Sequence, residues 1–286
     1  MTALQLTGQS TPSGRIPFLR YTPADTSKPQ PCIIFLHGQN KGSNVHDTTS
    51  VLTVMGSDSG LPYLCNAANP QTGGILPSYT NLRTGETFEF YVLAPQLYYS
   101  QPYPQGSSLT TLWKDEYILQ MINYARTQLN VDWHQIHLTG YSLGAGGTVV
   151  GATNPKVNRQ IASWSGFAPG YGNGSGVNHA YLAKSGLPGW LIHCAPDTTA
   201  SISVSDTIIK KIRDAKPRID PKFYRYQTGT HNSQYRLWDT SVGDIYDMTN
   251  GSGANQPIIA ERAVHSPNWF QWLLLQYRAE FQDPLY

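Results

Sequence analysis

Gly140-x-Ser142-x-Gly144 lies between a short apolar run, Ile136-His137-Leu138, and a stretch of small residues, Ala145-Gly146-Gly147. A serine at the centre of that spacing suits a sharp strand-to-helix turn that lifts its hydroxyl above a sheet. Side chains two residues before and after would strike the neighbouring backbone, so glycine occupies both places around a strained serine. The helix that follows would aim its free N–H groups and positive dipole end at the hydroxyl, where an oxyanion would form. In a chain with 26 glycines the spacing alone is weak, and the strand before it and small residues after it give it weight.

A serine hydroxyl attacks well only when a base takes its proton, and histidine is the usual base because it titrates near working pH. A carboxylate then fixes the imidazole tautomer and stabilises the cation. In a strand–elbow–helix architecture the chain order is nucleophile, acid, histidine, which selects Asp197 and His231, each following an apolar or strand-like run. Asp197 would equally suit a turn or helix cap after Pro196. It is preferred because the run before it is a strong strand, Asp206 falls inside a helical pattern and Asp239 breaks the order. His265 competes with His231 but precedes the closing helix, a place where histidine is commonly a surface or capping residue. His137 and His193 lie within strand-like runs and read as satisfied structural histidines, while His46, His134 and His179 carry no signal. The oxyanion donors expected are the backbone N–H of Leu143 and of Gln39, the latter after His37-Gly38, which otherwise reads as a strand-ending turn. Tyr98, Tyr99 and Trp113 are expected to wall a substrate pocket, or else to pack beneath their loop.

The elements needed to position these residues can be read in order. Residues 15–21 alternate as a strand, and Cys32-Ile33-Ile34-Phe35-Leu36 is an unbroken apolar run suited to a strand covered on both faces. Residues 41–86 are irregular, and short helices near 49–55 and 61–67 followed by a hairpin are expected there. Strands are expected at 87–94, 160–165, 188–195 and, last, 222–227, with helices at 113–130, 201–215 and 268–278. Strands alternating with helices imply an α/β architecture: a mainly parallel sheet covered by helices on both faces, built as a single domain over 1–286. Ligands then sit outside the carboxyl ends of the strands, where His37, Ser142, Asp197 and His231 fall.

Charged residues make up 13% of the chain and the net charge is +2, so nothing favours nucleic acid or an acidic membrane as a partner. No run is long and apolar enough for a membrane span, no spacing suggests a metal site, and the chemistry calls for no cofactor. Cys32 and Cys194 lie in buried strands as small hydrophobes, with Cys65 left as a candidate to pair with one of them. Residues 1–13 lack a basic start and an apolar core of signal length. The Gly-, Ser-, Thr-, Asn- and Tyr-rich balance leans toward a secreted or periplasmic protein with its signal removed, over a cytoplasmic one.

With these residues located, the chain resembles the α/β-hydrolases, and among them the bacterial esterases grouped with predicted peptidases and polyhydroxybutyrate-depolymerase-like esterases. The resemblance rests on Gly14-Arg15-Ile16-Pro17-Phe18 with Tyr21-Thr22-Pro23, Cys32 to Gly38, Val92-Leu93-Ala94-Pro95-Gln96 and Gly140-Tyr141-Ser142-Leu143-Gly144. Trp190 to Asp197, Gly229-Thr230-His231-Asn232 and Trp272-Leu273-Leu274-Leu275-Gln276 continue it. It implies ester hydrolysis of a small-molecule or polymer-borne substrate, often acetyl or feruloyl esters on plant polysaccharides or polyesters, and only loosely peptide cleavage. Residues 42–86 and 241–265 are longer and more polar than that group's pattern, so they are expected to shape the pocket rim. An aminopeptidase or acyl-peptide hydrolase, and a non-catalytic binder on the same scaffold, are the alternatives weighed.

Overall fold

The computed structural model describes residues 6–10, 16–39, 60–67, 69, 72–97, 112–234, 238, 245–248, 259–262 and 268–278. The chain opens with strands β1 (Leu6–Ser10), β2 (Pro17–Tyr21) and β3 (Gln30–Leu36), then a one-turn helix α1 (Leu61–Leu64). A small hairpin follows, β4 (Tyr79–Thr80) against β5 (Thr87–Phe88), and then β6 (Tyr91–Pro95) and helix α2 (Asp115–Gln128). Strand β7 (Val131–Tyr141) runs through the serine turn into α3 (Leu143–Thr153), α4 (Pro155–Asn158) and β8 (Ser163–Phe167). Next come α5 (His179–Ser185), β9 (Gly189–Cys194), α6 (Ser203–Asp214) and β10 (Lys222–Tyr226). Strands β11 (Ile245–Met248) and β12 (Ile259–Arg262) and helix α7 (Trp269–Leu275) close the described chain.

Among the described residues the main sheet has the order β1-β2-β6-β3-β7-β8-β9-β10-β11-β12. From β6 to β10 in that order neighbouring strands are parallel. Antiparallel pairs flank them, β1 and β2 on one side and β11 and β12 on the other. A parallel sheet needs cover on both faces, and β3 shows how the sequence supplies it. Cys32, Ile34 and Leu36 join the core formed with α2, α3 and α6, while Ile33 and Phe35 join the opposite core with α1 and α7. Helix α6 turns Ile208, Ile209 and Ile212 to the sheet, and each buried isoleucine contributes roughly 1.5–3 kcal/mol. Helix α7 is closed by a reciprocal cap between Asn268 and Gln271, and its Leu274 carbonyl accepts from Asn81 Nδ2 of the hairpin turn at 2.8 Å.

Several expectations change. The strand at 222–227 is not the last, because β11 pairs with β10 and β12 with β11 at the sheet edge. The expected strand at 87–94 divides, β5 serving the hairpin and β6 the main sheet. The helix expected at 61–67 is confined to α1, and the one near 49–55 lies outside the described residues. Cys65 does not pair: none of the three cysteines is in a disulfide, all three are buried, and burial raises the thiols of Cys32 and Cys65.

Helix α3 approaches the sheet unusually closely, because its first turns carry almost no side chains. A methyl added at Gly144 would sit 1.9 Å from the Leu36 carbonyl oxygen and 2.7 Å from that of His37. Those are backbone atoms of β3 and the loop after it, so they cannot swing aside. Gly144→Ala should therefore lower stability by about 3 kcal/mol in urea denaturation, well above the 1 kcal/mol helix benefit of alanine, and an unchanged midpoint would contradict this packing.

His137 lies wholly inside β7, with Nδ1 2.9 Å from Ser163 Oγ, and burial drives its pKa down to about 3. Folded, the imidazole stays neutral, whereas in the unfolded chain it takes a proton near pH 6.5. Its contribution to stability is thus complete above about pH 6.5 and is lost as pH falls from there toward the folded value. Between about pH 5.5 and 4, wild-type stability should fall up to ~1.4 kcal/mol per pH unit more steeply than that of His137→Asn, and equal slopes would contradict the burial.

Candidate active site

Because the central strands run parallel, their carboxyl ends share one edge of the sheet. Ser142 follows β7 directly and holds φ 54° and ψ −114°, a left-sided backbone conformation that costs a non-glycine residue about 1–3 kcal/mol. Its own backbone bonds keep it there. The Ser142 N–H donates to the Phe167 carbonyl at 2.9 Å, and its carbonyl accepts from Gly146 N–H at 3.1 Å and Gly170 N–H at 3.2 Å. Gly140 allows the turn to close, since a methyl there would lie 2.4 Å from the Gly144 carbonyl.

Asp197 lies just beyond the end of β9, and His231 stands in the loop beyond β10. The loop is shaped by Gly229 at φ 99° and by Thr230, whose N–H donates to Ser233 Oγ at 2.9 Å. This brings His231 Nδ1 to 2.7 Å from Asp197 Oδ2 and His231 Nε2 to 2.8 Å from Ser142 Oγ. Of the two histidines weighed from sequence, the structure brings His231 to the serine, while His265 lies outside the described residues. Asp197 is 7% exposed. Burial works to raise its carboxyl, but hydrogen bonds from Ala200 N–H, His231 and Thr199 N–H outweigh that and hold it below the ordinary carboxylate value. An ionised carboxylate against Nδ1 requires Nδ1 to carry the hydrogen, which leaves Nε2 free to accept from the serine hydroxyl.

Leu143 opens α3, so its N–H belongs to the first helical turn, whose donors have no partner within the helix. Gly38 is buried beside the same turn: a methyl added there would lie 3.4 Å from Ser142 Cβ and 2.8 Å from the Tyr141 ring. Gln39 follows it at the surface. His37 braces this loop, since its Nε2 accepts from the Leu97 N–H at 3.0 Å, which places the ring hydrogen on Nδ1, 2.6 Å from the Gly38 carbonyl.

Trp113 differs from the substrate-facing role expected of it. It is 2% exposed, its indole N–H donates to the His37 carbonyl at 3.3 Å, and it fills the space that Gly147 leaves on α3. Its size is used to wedge the loop after β3 against the helix. Tyr98 and Tyr99 lie outside the described residues.

Three contacts escaped the sequence reading. Tyr141, an unspecified position of the Gly-x-Ser-x-Gly spacing, donates its hydroxyl to Asn232 Oδ1 at 3.0 Å and stands 5.1 Å from the His231 ring. It therefore ties the serine turn to the histidine loop. His193 reaches Asp197, with Nε2 3.3 Å from Oδ2. His179, read as carrying no signal, is buried with Nε2 2.8 Å from the Gly172 carbonyl. The only sequence clue to Tyr141 was its place beside the serine, and none marked His193 as a neighbour of the carboxylate.

No family model matches the sequence, and no curated protein matches it either. Solved structures do. A thermostable esterase superposes with a TM-score of 0.56 at 18% identity, over 96% of this chain and 63% of the esterase. The acylaminoacyl peptidase of Pyrococcus horikoshii gives 0.52 at 13% identity, over 81% of this chain and 38% of the peptidase. A Klebsiella pneumoniae protein named as a dienelactone hydrolase gives 0.52 at 15% identity, over 79% of this chain and 86% of that protein. The chain thus spans less than two thirds of the first two. At these identities the likeness is one of architecture, and with the parallel sheet, the serine turn and helices on both faces it establishes that this chain has the α/β-hydrolase fold.

Proposed function

We propose that the chain is a serine hydrolase that cleaves carboxylic esters through an acyl-enzyme. The observation that carries this reading is the continuous path from Asp197 Oδ2 to His231 Nδ1 at 2.7 Å and from His231 Nε2 to Ser142 Oγ at 2.8 Å. Those distances are the ones proton transfer needs.

Ser142 Oγ attacks the acyl carbon as its proton passes to His231 Nε2, and Asp197 stabilises the imidazolium that forms. The carbonyl oxygen becomes an oxyanion received by the N–H groups of Leu143 and Gln39, each donor contributing about 3 kcal/mol to the transition state. Collapse of the tetrahedral species breaks the bond to the alcohol, which leaves with the proton from His231. Water then attacks the acyl-Ser142 ester, giving a proton to His231, and the second collapse returns that proton to Ser142 Oγ and releases the acid. The substrates carried over from the resemblance are acetyl or feruloyl esters on plant polysaccharides, or polyesters.

Hydrolysis of p-nitrophenyl acetate and butyrate tests the reaction. Folded Ser142→Ala should lose roughly 10⁶-fold in kcat, and a wild-type rate in that variant would overturn the assignment. Aminoacyl p-nitroanilides assayed alongside should turn over more slowly than the esters; the reverse order would make the chain a peptidase.

A further inference from the structure

Asp197 is met by two imidazoles. His193, on β9, is fully buried, with Nε2 2.9 Å from the Ala200 carbonyl and 3.3 Å from Asp197 Oδ2. Its Nδ1 lies 2.8 Å from Ser205 Oγ on α6. Both groups facing Nε2 are acceptors only, so Nε2 must carry the hydrogen, because a bare lone pair there would face two others. Burial also lowers the pKa of this histidine, against the raising effect of its bonds to Ala200 and Asp197, which favours the neutral ring. In that ring Nδ1 is an acceptor and the Ser205 hydroxyl donates to it. The tautomer is fixed by strand and helix together.

The four contacts on Asp197 are unequal in rigidity. Oδ1 accepts from Thr199 N–H at 2.8 Å and Ala200 N–H at 3.0 Å, so the backbone anchors one oxygen of the carboxylate. Oδ2 is then placed by His231 Nδ1 and His193 Nε2. The His231 side chain, on a loop, is 11% exposed, whereas the side chain of His193 is wholly buried in the sheet. Of the two imidazoles facing Oδ2, the one enclosed in the strand has the less room to move.

We propose that His193 is a positioning residue, whose Nε2–H, shared between the Ala200 carbonyl and Asp197 Oδ2, holds the carboxylate plane in the orientation that meets His231. The role rests on the reading of Ser142, His231 and Asp197 given above, and it adds a fourth member that never touches substrate. It also accounts for a histidine enclosed in a strand end, where an apolar side chain would pack without the cost of burying a polar ring.

Two substitutions separate the N–H from the bulk of the ring. In His193→Gln the amide nitrogen reaches the place of Nε2 and keeps a neutral donor. In His193→Asn the amide reaches Ser205 but not Asp197. The first readout is the low-field proton resonance of His231 Nδ1–H in the full-length protein, which needs no turnover. The second is kcat for p-nitrophenyl butyrate per site counted by fluorophosphonate titration, which discounts misfolded protein. His193→Asn should shift or broaden the resonance and lower kcat per site about 10- to 100-fold with KM unchanged, while His193→Gln restores most of both. A folded Asn variant with wild-type resonance and kcat, or equal losses in Asn and Gln, would overturn the proposal. If the Asn variant does not fold, Ser205→Ala, which removes the hydroxyl that fixes the ring, should disturb the same resonance, and an unchanged signal there overturns it too. A wild type that cleaves no ester but keeps the His193-dependent resonance would refute the reaction and leave the positioning role standing.

Discussion

The backbone of the loop after β3 and the first turn of α3 touch with no side chain between them, and the site depends on that contact. At Gly144 even a methyl would overlap the Leu36 carbonyl, so the helix start is pressed against the strand end. Ser142, caught between β7 and α3, has nowhere to relax, and three backbone hydrogen bonds hold it at positive φ. Strain of this kind persists only where the surroundings over-determine the geometry. Its result is a hydroxyl standing beyond the sheet edge beside the free donors of a helix N-terminus.

The second requirement is a charge kept out of water. A buried carboxylate is costly unless its lone pairs are used, and Asp197 uses them through two backbone N–H groups and the imidazole of His231, with His193 Nε2 3.3 Å from Oδ2. The hydrogen bonds overcome the burial that would otherwise neutralise the acid. Tyr141 performs a related service from the other side, joining the serine turn to Asn232 in the histidine loop. The loop carrying His231 is therefore fixed at both of its neighbours, by the carboxylate in one direction and by the tyrosine hydroxyl in the other.

Much of this was legible in the sequence where the governing physics is local. The runs that became β3 and β9 are unbroken because both faces of a central parallel strand are covered, and glycines at 140 and 144 declare a steric need of their own turn. The order Ser142, Asp197, His231 follows from strand order. What escaped depends on partners distant in sequence. β11 and β12 have four residues each, too few to show a period, and they become strands by pairing at the edge beyond β10. Trp113 resembled a pocket wall, because nothing local announces that Gly147, on α3, leaves a slot for an indole. His193 resembled an ordinary core histidine, and it is one, except that the turn after β9 folds Asp197 back onto it.

In the proposed reaction the Ser142 hydroxyl is made nucleophilic by the imidazole bonded to it. The most direct measurement is the rate of covalent labelling by a fluorophosphonate in wild type and in folded His231→Ala, with the modified residue identified by mass spectrometry. Rapid labelling at Ser142 is expected in wild type, with a rate lower by at least about 10³-fold in the variant. Equal rates in the two proteins, or labelling at another residue, would contradict it.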